Sequence, residues 1–274
     1  MKKFLVPTDF SDTSKNAAAY AVKMLTGKPG VTIVLYYVFD NAAGSDGTLL
    51  NEDDMDRHTV IGHALGNMKA ELAVHGNVPI ETVAEFGTSL IDNLERYVRH
   101  HGIDMVIMGI TGATKIEQIF MGSNTLKLVK EGVCPVMIIP PEAQYVEIKE
   151  VALTSDFKEV DSSIPVAPIK NLLSLFNPTL YIINVDSEHY VEINDEYKVE
   201  RAKLERHFGA FNPQFAFIRL FDFLEAINNF TRDKEIDLII TVPKKHSFLG
   251  GLFKTSHTKK LAYHSTVPIV AIHE

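Results

Sequence analysis

The chain has 274 residues, of which 46% are hydrophobic and 23% are charged. At about 100–200 residues per domain, this length predicts one large domain or two ordinary ones. The apolar fraction excludes the disordered and fibrous classes. The net charge of -8 argues against a nucleic-acid-binding protein, which would need a concentrated basic face. The single cysteine, Cys134, excludes an internal disulfide and any multi-cysteine metal site.

The apolar segments predict a cytoplasmic protein with no membrane partner. The longest apolar run, Val31–Phe39, has the length of a strand and falls far short of the roughly 20 residues that a membrane helix requires. Lys2 and Lys3 are followed by too few apolar residues before Asp9 to form a signal peptide.

In the first half of the chain, short continuous apolar runs alternate with longer amphipathic segments. Continuous apolarity is typical of strands that are covered on both faces, as in a parallel sheet. The runs predict five strands, at Phe4–Val6, Val31–Val38, Ile80–Phe86, Met105–Met108 and Val136–Ile139. The segments between them predict four helices, near Ser14–Leu25, Asp53–His75, Ser89–His101 and Ser123–Lys130. Strands and helices that alternate with short links predict a doubly wound α/β fold.

The second half repeats this plan. The segment Ile103–Ile107 recurs as Ile236–Ile240, and Cys134–Ile139 recurs as Val267–Ile272, both at an offset of 133 residues. The second-half strands are predicted at Val151–Thr154, Leu180–Val185, Phe215–Leu220, Leu238–Val242 and Ile269–Ile272. We therefore predict two tandem domains, residues 1–141 and 146–274, each a five-stranded parallel sheet flanked by helices.

Two loops are the candidate binding elements, because ligands of open α/β sheets bind at the carboxyl ends of the strands, where the strand order reverses. One loop follows the first strand, and the other follows the fourth strand from Gly109 onward. The second loop continues through Gly112 to Gly122, where Ser123 begins a helix. Glycines allow close approach of a phosphate to the backbone, and a helix N-terminus offers free N–H groups to an anion. This loop is predicted to bind phosphate.

The spacing G-x2-G-x9-G-[ST] resembles the nucleotide-binding signature of the universal stress protein family. Three other segments resemble that family, namely Pro7-Thr8-Asp9, the strand ending at Tyr37–Asp40, and Cys134-Pro135-Val136. The resemblance covers nearly the whole chain as a tandem pair. It implies five parallel strands in each domain, with ATP over the carboxyl ends of the first and fourth.

The resemblance also implies a role for each candidate residue. Asp9 would contact the adenosine part of ATP, and the backbone near Val38 would contact adenine. Ribose and phosphates would be held by Gly109, Gly112, Gly122 and Ser123. The neighbouring candidates are Pro7, Thr8, Asn124 and Thr125. Mg²⁺ is expected with the ATP.

The second half departs from the signature. At the same offset, Val242, Lys245 and Thr255 stand where the first half has its three glycines, and Ser256 preserves the serine. Near the start of the second half, Asp156 still matches Asp9. We therefore predict that this half keeps the fold and has lost the ATP site. Its loop is basic, and an anion or partner site there is the alternative to a solvated surface (Lys244, Lys245, His246, Lys254, His257, Lys259 and Lys260).

The predicted function is binding of ATP linked to regulation or partner binding in a stress response. No catalytic residue is assigned, and the histidine spacings do not indicate a metal site. Two alternatives stay open: a slow ATPase or self-phosphorylating protein that uses Ser123 or Thr125, and a nucleotide-free interaction module. The fifth strands are predicted to pair the two halves as an internal pseudo-dimer, because an unpaired sheet edge is a template for association. Homodimer formation is left open.

Overall fold

The computed structural model describes residues 2–40, 52–110, 123–186, 195–219, 223–243, 261 and 265–273. The chain divides into two compact units, Met1–Gly109 and Ile110–Glu274. Among the described residues, none of the helices is both long and apolar enough to cross a membrane.

The first unit alternates strands and helices. Its elements are β1 (Lys2–Pro7), α1 (Asp12–Leu25), β2 (Val31–Phe39), α2 (Glu52–Leu72), a 3₁₀ turn (Ala73–His75), β3 (Ile80–Phe86), α3 (Leu90–His101) and β4 (Met105–Gly109). The strands are parallel and lie in the order β3-β2-β1-β4. The order reverses at β1, which lies between β2 and β4. The strands and helices predicted for this part of the chain are confirmed.

Burial on both faces explains the continuous apolar runs. Leu5 and Val6 point to opposite faces of the sheet, yet both are fully buried. Each such side chain contributes about 1.5–3 kcal/mol to folding. Ser89 is the N-cap of α3, and its hydroxyl accepts a hydrogen bond from the N–H of Asp92. The N-cap of α1 is Ser11, so Ser14 lies inside the first turn of that helix and does not cap it.

The second unit contains the remaining elements. They are α4 (Ser123–Glu131), β5 (Val136–Ile139), β6 (Glu150–Thr154), α5 (Val160–Ser163), α6 (Val166–Phe176), β7 (Thr179–Asp186), α7 (Asp195–Phe208), a 3₁₀ turn (Gly209–Phe211), β8 (Gln214–Arg219), α8 (Phe223–Asp233), β9 (Leu238–Thr241) and β10 (Ile269–Ala271). The strands lie in the order β5-β10-β9-β6-β7-β8. The described pairs are parallel except for β5 with β10. The parallel-dominated α/β fold is confirmed.

The boundary between the compact units differs from the predicted domain boundary at residues 141–146. The reason is the antiparallel pairing of β5 with β10, in which Val136 lies opposite Ala271 and Ile138 lies opposite Ile269. This pairing joins α4 and β5 to the elements of the second half by contact, although the sequence repeat assigns them to the first. The tandem division remains a prediction.

The two units repeat one detail at the start of the central strand. The Asp104 carboxylate accepts a hydrogen bond from the N–H of Lys3 at 2.8 Å. In the second unit, the Asp237 carboxylate accepts from the N–H groups of Lys149 and Glu150 at 2.8 and 2.9 Å. Asp104 and Asp237 belong to the repeated segments of the sequence, so the repeat extends to side-chain contacts.

Candidate functional site

The loop after β1 is fixed by Thr8. The N–H of Thr8 donates to the carbonyl of Tyr36 at 2.9 Å, and the Thr8 hydroxyl accepts from the N–H of Phe10 at 2.9 Å. Thr8 is buried, and its hydroxyl lies 3.0 Å from that of Ser14 and 3.5 Å from the sulfur of Met68. Thr8 therefore shapes the loop from inside, and its hydroxyl is already engaged by the protein.

Phe10 has a left-handed backbone, with φ of 63°. This conformation is rare for a bulky residue and costs about 1–2 kcal/mol. The hydrogen bonds on either side of it offset the cost, since the carboxylate of Asp9 accepts from the N–H and the hydroxyl of Ser11. The turn places Asp9 at the exposed end of β1.

The Asp9 carboxylate is ionised at neutral pH. Partial burial would raise its pKa, but the hydrogen bonds from Ser11 outweigh that effect and hold the pKa below its ordinary value. Both of these bonds reach Oδ1, at 3.0 Å from the Ser11 nitrogen and 2.5 Å from its hydroxyl oxygen. Neither of the two Ser11 bonds uses Oδ2.

The backbone of Val38 extends past the end of β1. Alternate residues of a strand direct their N–H and C=O groups to the same neighbour, and the carbonyl of Tyr36 bonds to β1 through Thr8. The N–H and C=O of Val38 therefore point to the β1 side of β2. The register of the two strands ends with Pro7 opposite Tyr36, so β1 supplies no ladder partner for Val38. This leaves one donor and one acceptor side by side.

An aromatic pair lies beside this backbone edge. The rings of Phe10 and Tyr37 have centroids 5.1 Å apart, and both residues are partly exposed. The apolar surface of these rings and the Val38 backbone edge suit a flat heteroaromatic group with polar atoms on its rim.

Gly109 ends β4 beside the first turn of α1. A Cβ at this position would lie 2.5 Å from Cγ2 of Thr13 and 2.6 Å from the Thr13 carbonyl oxygen. Glycine is therefore required here by the close approach of α1, a reason that its place in the glycine motif does not reveal. The structure also brings Gly109 to the same edge as Pro7–Asp9, since β4 pairs with β1.

Replacing Gly109 with alanine is expected to destabilise the protein, because the contact with Thr13 includes rigid backbone. Overpacking of this kind costs about 1–3 kcal/mol. Urea denaturation of Gly109→Ala should show this loss of unfolding free energy. Gly62→Ala is the control, since a Cβ on Gly62 meets nothing within 4 Å. Equal stability of the two variants would contradict the packing role.

After Ile110, the structure describes the glycine motif again only from Ser123 onward. Ser123, Asn124 and Thr125 form the first turn of α4 in the second unit, with Asn124 exposed and Thr125 buried. Several predicted positions lie outside the described residues: Gly112, Gly122, the side chain of Ser123, and the second-half positions Lys244, Lys245, His246, Lys254, Thr255, Ser256, His257, Lys259 and Lys260.

The first half of the chain matches a known protein family. The profile of the universal stress protein family matches residues 1–140, which is half of the chain. The chain belongs to the universal stress protein family. Two universal stress proteins of Methanocaldococcus jannaschii are similar to it. MJ0531 is 29% identical over 147 residues, covering 50% of this chain and 81% of its own. MJ0577 is 24% identical over 154 residues, covering 50% and 94%.

A solved structure extends the likeness of fold to the second half. The universal stress protein from Archaeoglobus fulgidus superposes with a TM-score of 0.72 at 17% identity and covers 99% of this chain and 98% of its own. At this identity the likeness concerns the fold alone.

Three contributors to the candidate site of this universal stress protein were not predicted from the sequence. Ser11 holds the Asp9 carboxylate, Met68 supports Thr8 from α2, and Thr13 requires the glycine at position 109. A serine two residues after an aspartate is a recognised turn signal and could have identified Ser11. Met68 and Thr13 act through packing between elements, which no local pattern reveals.

Proposed function

We propose that the first half of the chain binds one adenine nucleotide, ATP, and that this binding regulates a partner in a stress response. The observation that carries the proposal is the backbone of Val38, which offers a donor and an acceptor beyond the end of β1. The edge of adenine presents a ring nitrogen acceptor beside an amino donor. The N–H and C=O of Val38 are complementary to that edge.

Asp9 supports the same proposal. Its carboxylate is ionised, exposed and held in position by Ser11, so it can accept a hydrogen bond from the adenosine part of ATP. Hydrogen bonds to a charged acceptor contribute about 1.5–3 kcal/mol. The glycine motif, with Asn124 and the backbone of Thr125, is expected to supply phosphate contacts, which remain a prediction from the sequence. Mg²⁺ would be held mainly by phosphate oxygens and water.

Regulation by binding is favoured over catalysis. A carboxylate whose pKa lies below its ordinary value is a poor general base near neutral pH, and this describes Asp9. Thr125 is 2% exposed, which makes it an unsuitable acceptor for self-phosphorylation. A slow ATPase and a nucleotide-free interaction module are the alternatives that experiment must separate from this proposal.

We also propose that the second half is a degenerate copy of the first, and that the two halves form an internal pseudo-dimer. The repeated sequence segments and the matching roles of Asp104 and Asp237 support the duplication. The antiparallel register of β5 with β10 supports pairing through the fifth strand of each copy.

The expected stoichiometry is one ATP for each 274-residue chain. Acid extraction of the purified protein should release adenine nucleotide, and calorimetry on the stripped protein should give one site with micromolar affinity, about -8 kcal/mol. Two equal sites would contradict the degenerate second half. Absence of any binding would leave the interaction module as the function. A phosphate-release assay is expected to show turnover far below about 1 per second.

A further inference from the structure

The loop after β6 has the same backbone design as the loop after β1. The hydroxyl of Ser155 accepts from the N–H of Phe157 at 3.1 Å, and the carboxylate of Asp156 accepts from the N–H of Lys158 at 3.2 Å. Phe157 is left-handed, with φ of 55°, as Phe10 is. The turn that presents Asp9 is therefore also present in the second half, and any difference in binding must come from its surroundings.

Those surroundings are filled with aromatic rings. The centroid of the Phe157 ring lies 4.9 Å from that of Tyr197, 5.4 Å from that of Phe217 and 6.0 Å from that of Phe215. Tyr197 and Phe217 also meet edge to face at 4.9 Å. These four residues, which we call the aromatic plug, leave Phe157 only 3% exposed. Phe10, by contrast, is partly exposed and packs against Tyr37.

The strand register shows which first-half residues correspond to the plug. The bond from the N–H of Ser155 to the carbonyl of Ile183 matches the bond from the N–H of Thr8 to the carbonyl of Tyr36. This match aligns the strands of the second half, residue by residue, with those of the first. Carried to the next strands, this alignment pairs Phe215 with Thr82 and Phe217 with Ala84. At both positions the first half has the smaller side chain.

The helices show the same trend. Both α2 and α7 run directly into a 3₁₀ turn, so their last residues, Leu72 and Phe208, correspond. Counting back from these ends pairs Tyr197 with Ile61 and Glu200 with Ala64. The second half therefore has the larger side chain at these four positions, although Tyr37 of the first half is larger than its counterpart Asn184. The burial of Phe157 shows that the packing around the second-half loop is closed.

Glu200 closes the second-half loop further. Its Oε2 accepts from the N–H of Val160 at 2.7 Å, and its Oε1 accepts from Lys203 Nζ at 2.6 Å. Burial would raise the pKa of Glu200, but the hydrogen bonds from Lys203 and Val160 outweigh it and lower the pKa. An ionised carboxylate from α7 thus holds the start of α5. In the first unit, the corresponding helix start is capped by Ser11 from its own loop.

We infer that the aromatic plug and Glu200 restrict nucleotide binding to the first half. The plug fills the space beside the Asp156 turn, and Glu200 fixes the start of α5, directly after that turn, without any ligand. The first-half counterparts of Glu200 and of the plug residues on α7 and β8 are smaller, so the space beside the Asp9 turn is open to a ligand. The nucleotide part of this inference rests on the proposed function, whereas the closure of the second-half loop does not.

Hydrogen exchange of the full chain tests the closure directly. Without nucleotide, the amides of Phe157, Lys158 and Val160 should exchange at least about tenfold more slowly than those of Phe10, Ser11 and Thr13. Addition of ATP should slow amide exchange at residues 10–13 and leave exchange at residues 157–160 unchanged. Equal rates in the free protein, or protection of residues 157–160 by ATP, would overturn the inference.

A transfer of the plug tests its effect on binding. The triple variant Ile61→Tyr/Ala64→Glu/Ala84→Phe should weaken ATP binding by about tenfold or more. The control is Val60→Tyr/Val74→Glu, which adds similar side chains where the native residues are 66% and 81% exposed. Circular dichroism checks the fold of each variant. Unchanged affinity in a folded triple variant would overturn the inference.

A variant that removes the plug from the second half gives a second test, which applies even if the triple variant does not fold. Tyr197→Ala/Phe217→Ala should accelerate exchange at residues 157–160 by about tenfold and leave ATP affinity unchanged. Retained protection in this variant would overturn the role of the plug. If the wild-type protein does not bind ATP, the proposed function fails, while these exchange measurements still decide whether the second-half loop is closed.

Discussion

Replacement of Asp9 with asparagine is expected to weaken ATP binding by about 10- to 100-fold, which corresponds to about 1.5–3 kcal/mol for a hydrogen bond to a charged acceptor. Asparagine keeps an oxygen that can accept from the N–H and hydroxyl of Ser11, so the turn after β1 should persist. The loss then reports the negative charge presented to the ligand. Calorimetry on Asp9→Asn measures the affinity, and a thermal melt checks that stability is retained.

Asp156→Asn is the matched control. Asp156 stands in the same turn, with its Oδ1 accepting from the N–H of Lys158 at 3.2 Å, but it belongs to the half that we propose does not bind ATP. Its replacement should leave affinity and stoichiometry unchanged. If Asp156→Asn lowers the number of sites or weakens binding as much as Asp9→Asn does, the assignment of the site to the first half is wrong.

Gly122→Val is expected to reduce ATP affinity by about 100-fold or more, because several phosphate contacts through backbone N–H groups would be lost together. The branched side chain would stand where the phosphates approach the start of α4, and valine resists the backbone angles open to glycine. The loss of stability should be modest, because the sequence motif assigns Gly122 to a ligand-binding loop. Calorimetry and urea denaturation measure the two effects separately.

Thr255→Val provides the comparison for this variant. Thr255 stands at the position of Gly122 in the repeated sequence, and valine matches its shape. ATP binding should be unaffected by Thr255→Val. Wild-type affinity in a stable Gly122→Val protein would show that the glycine motif does not form the phosphate site.

Much of the fold could be predicted from local patterns. The predicted strand Val136–Ile139 coincides with β5, and the helix predicted near Ser89–His101 is α3, with Ser89 as its N-cap. Apolar runs and capping residues act over a few neighbouring positions, so a local pattern can reveal them. The order of the first-unit strands places Pro7–Asp9, Val38 and Gly109 at one edge, as the doubly wound fold predicts.

The sequence could not predict features that depend on contacts between distant elements. The sequence predicts phosphate binding at Gly109, which stays a prediction, and it does not reveal that Thr13 requires a glycine there for packing. The first-half plan predicts one helix after the first strand of the second half, β6. The structure has two helices there, α5 and α6, because Pro165 separates them. Likewise, the closure of the loop after β6 depends on Glu200, which lies 40 residues away along the chain.

The antiparallel pair formed by β5 and β10 has a consequence for behaviour on dilution. A strand with an unpaired edge recruits a partner from solution, so its pairing depends on protein concentration. Here both strands belong to one covalent chain, in which Met137 lies opposite Val270. Linkage of this kind supplies an effective concentration that can reach the millimolar range. The pairing of these two edges should therefore persist at nanomolar protein, where an assembly of separate chains would come apart.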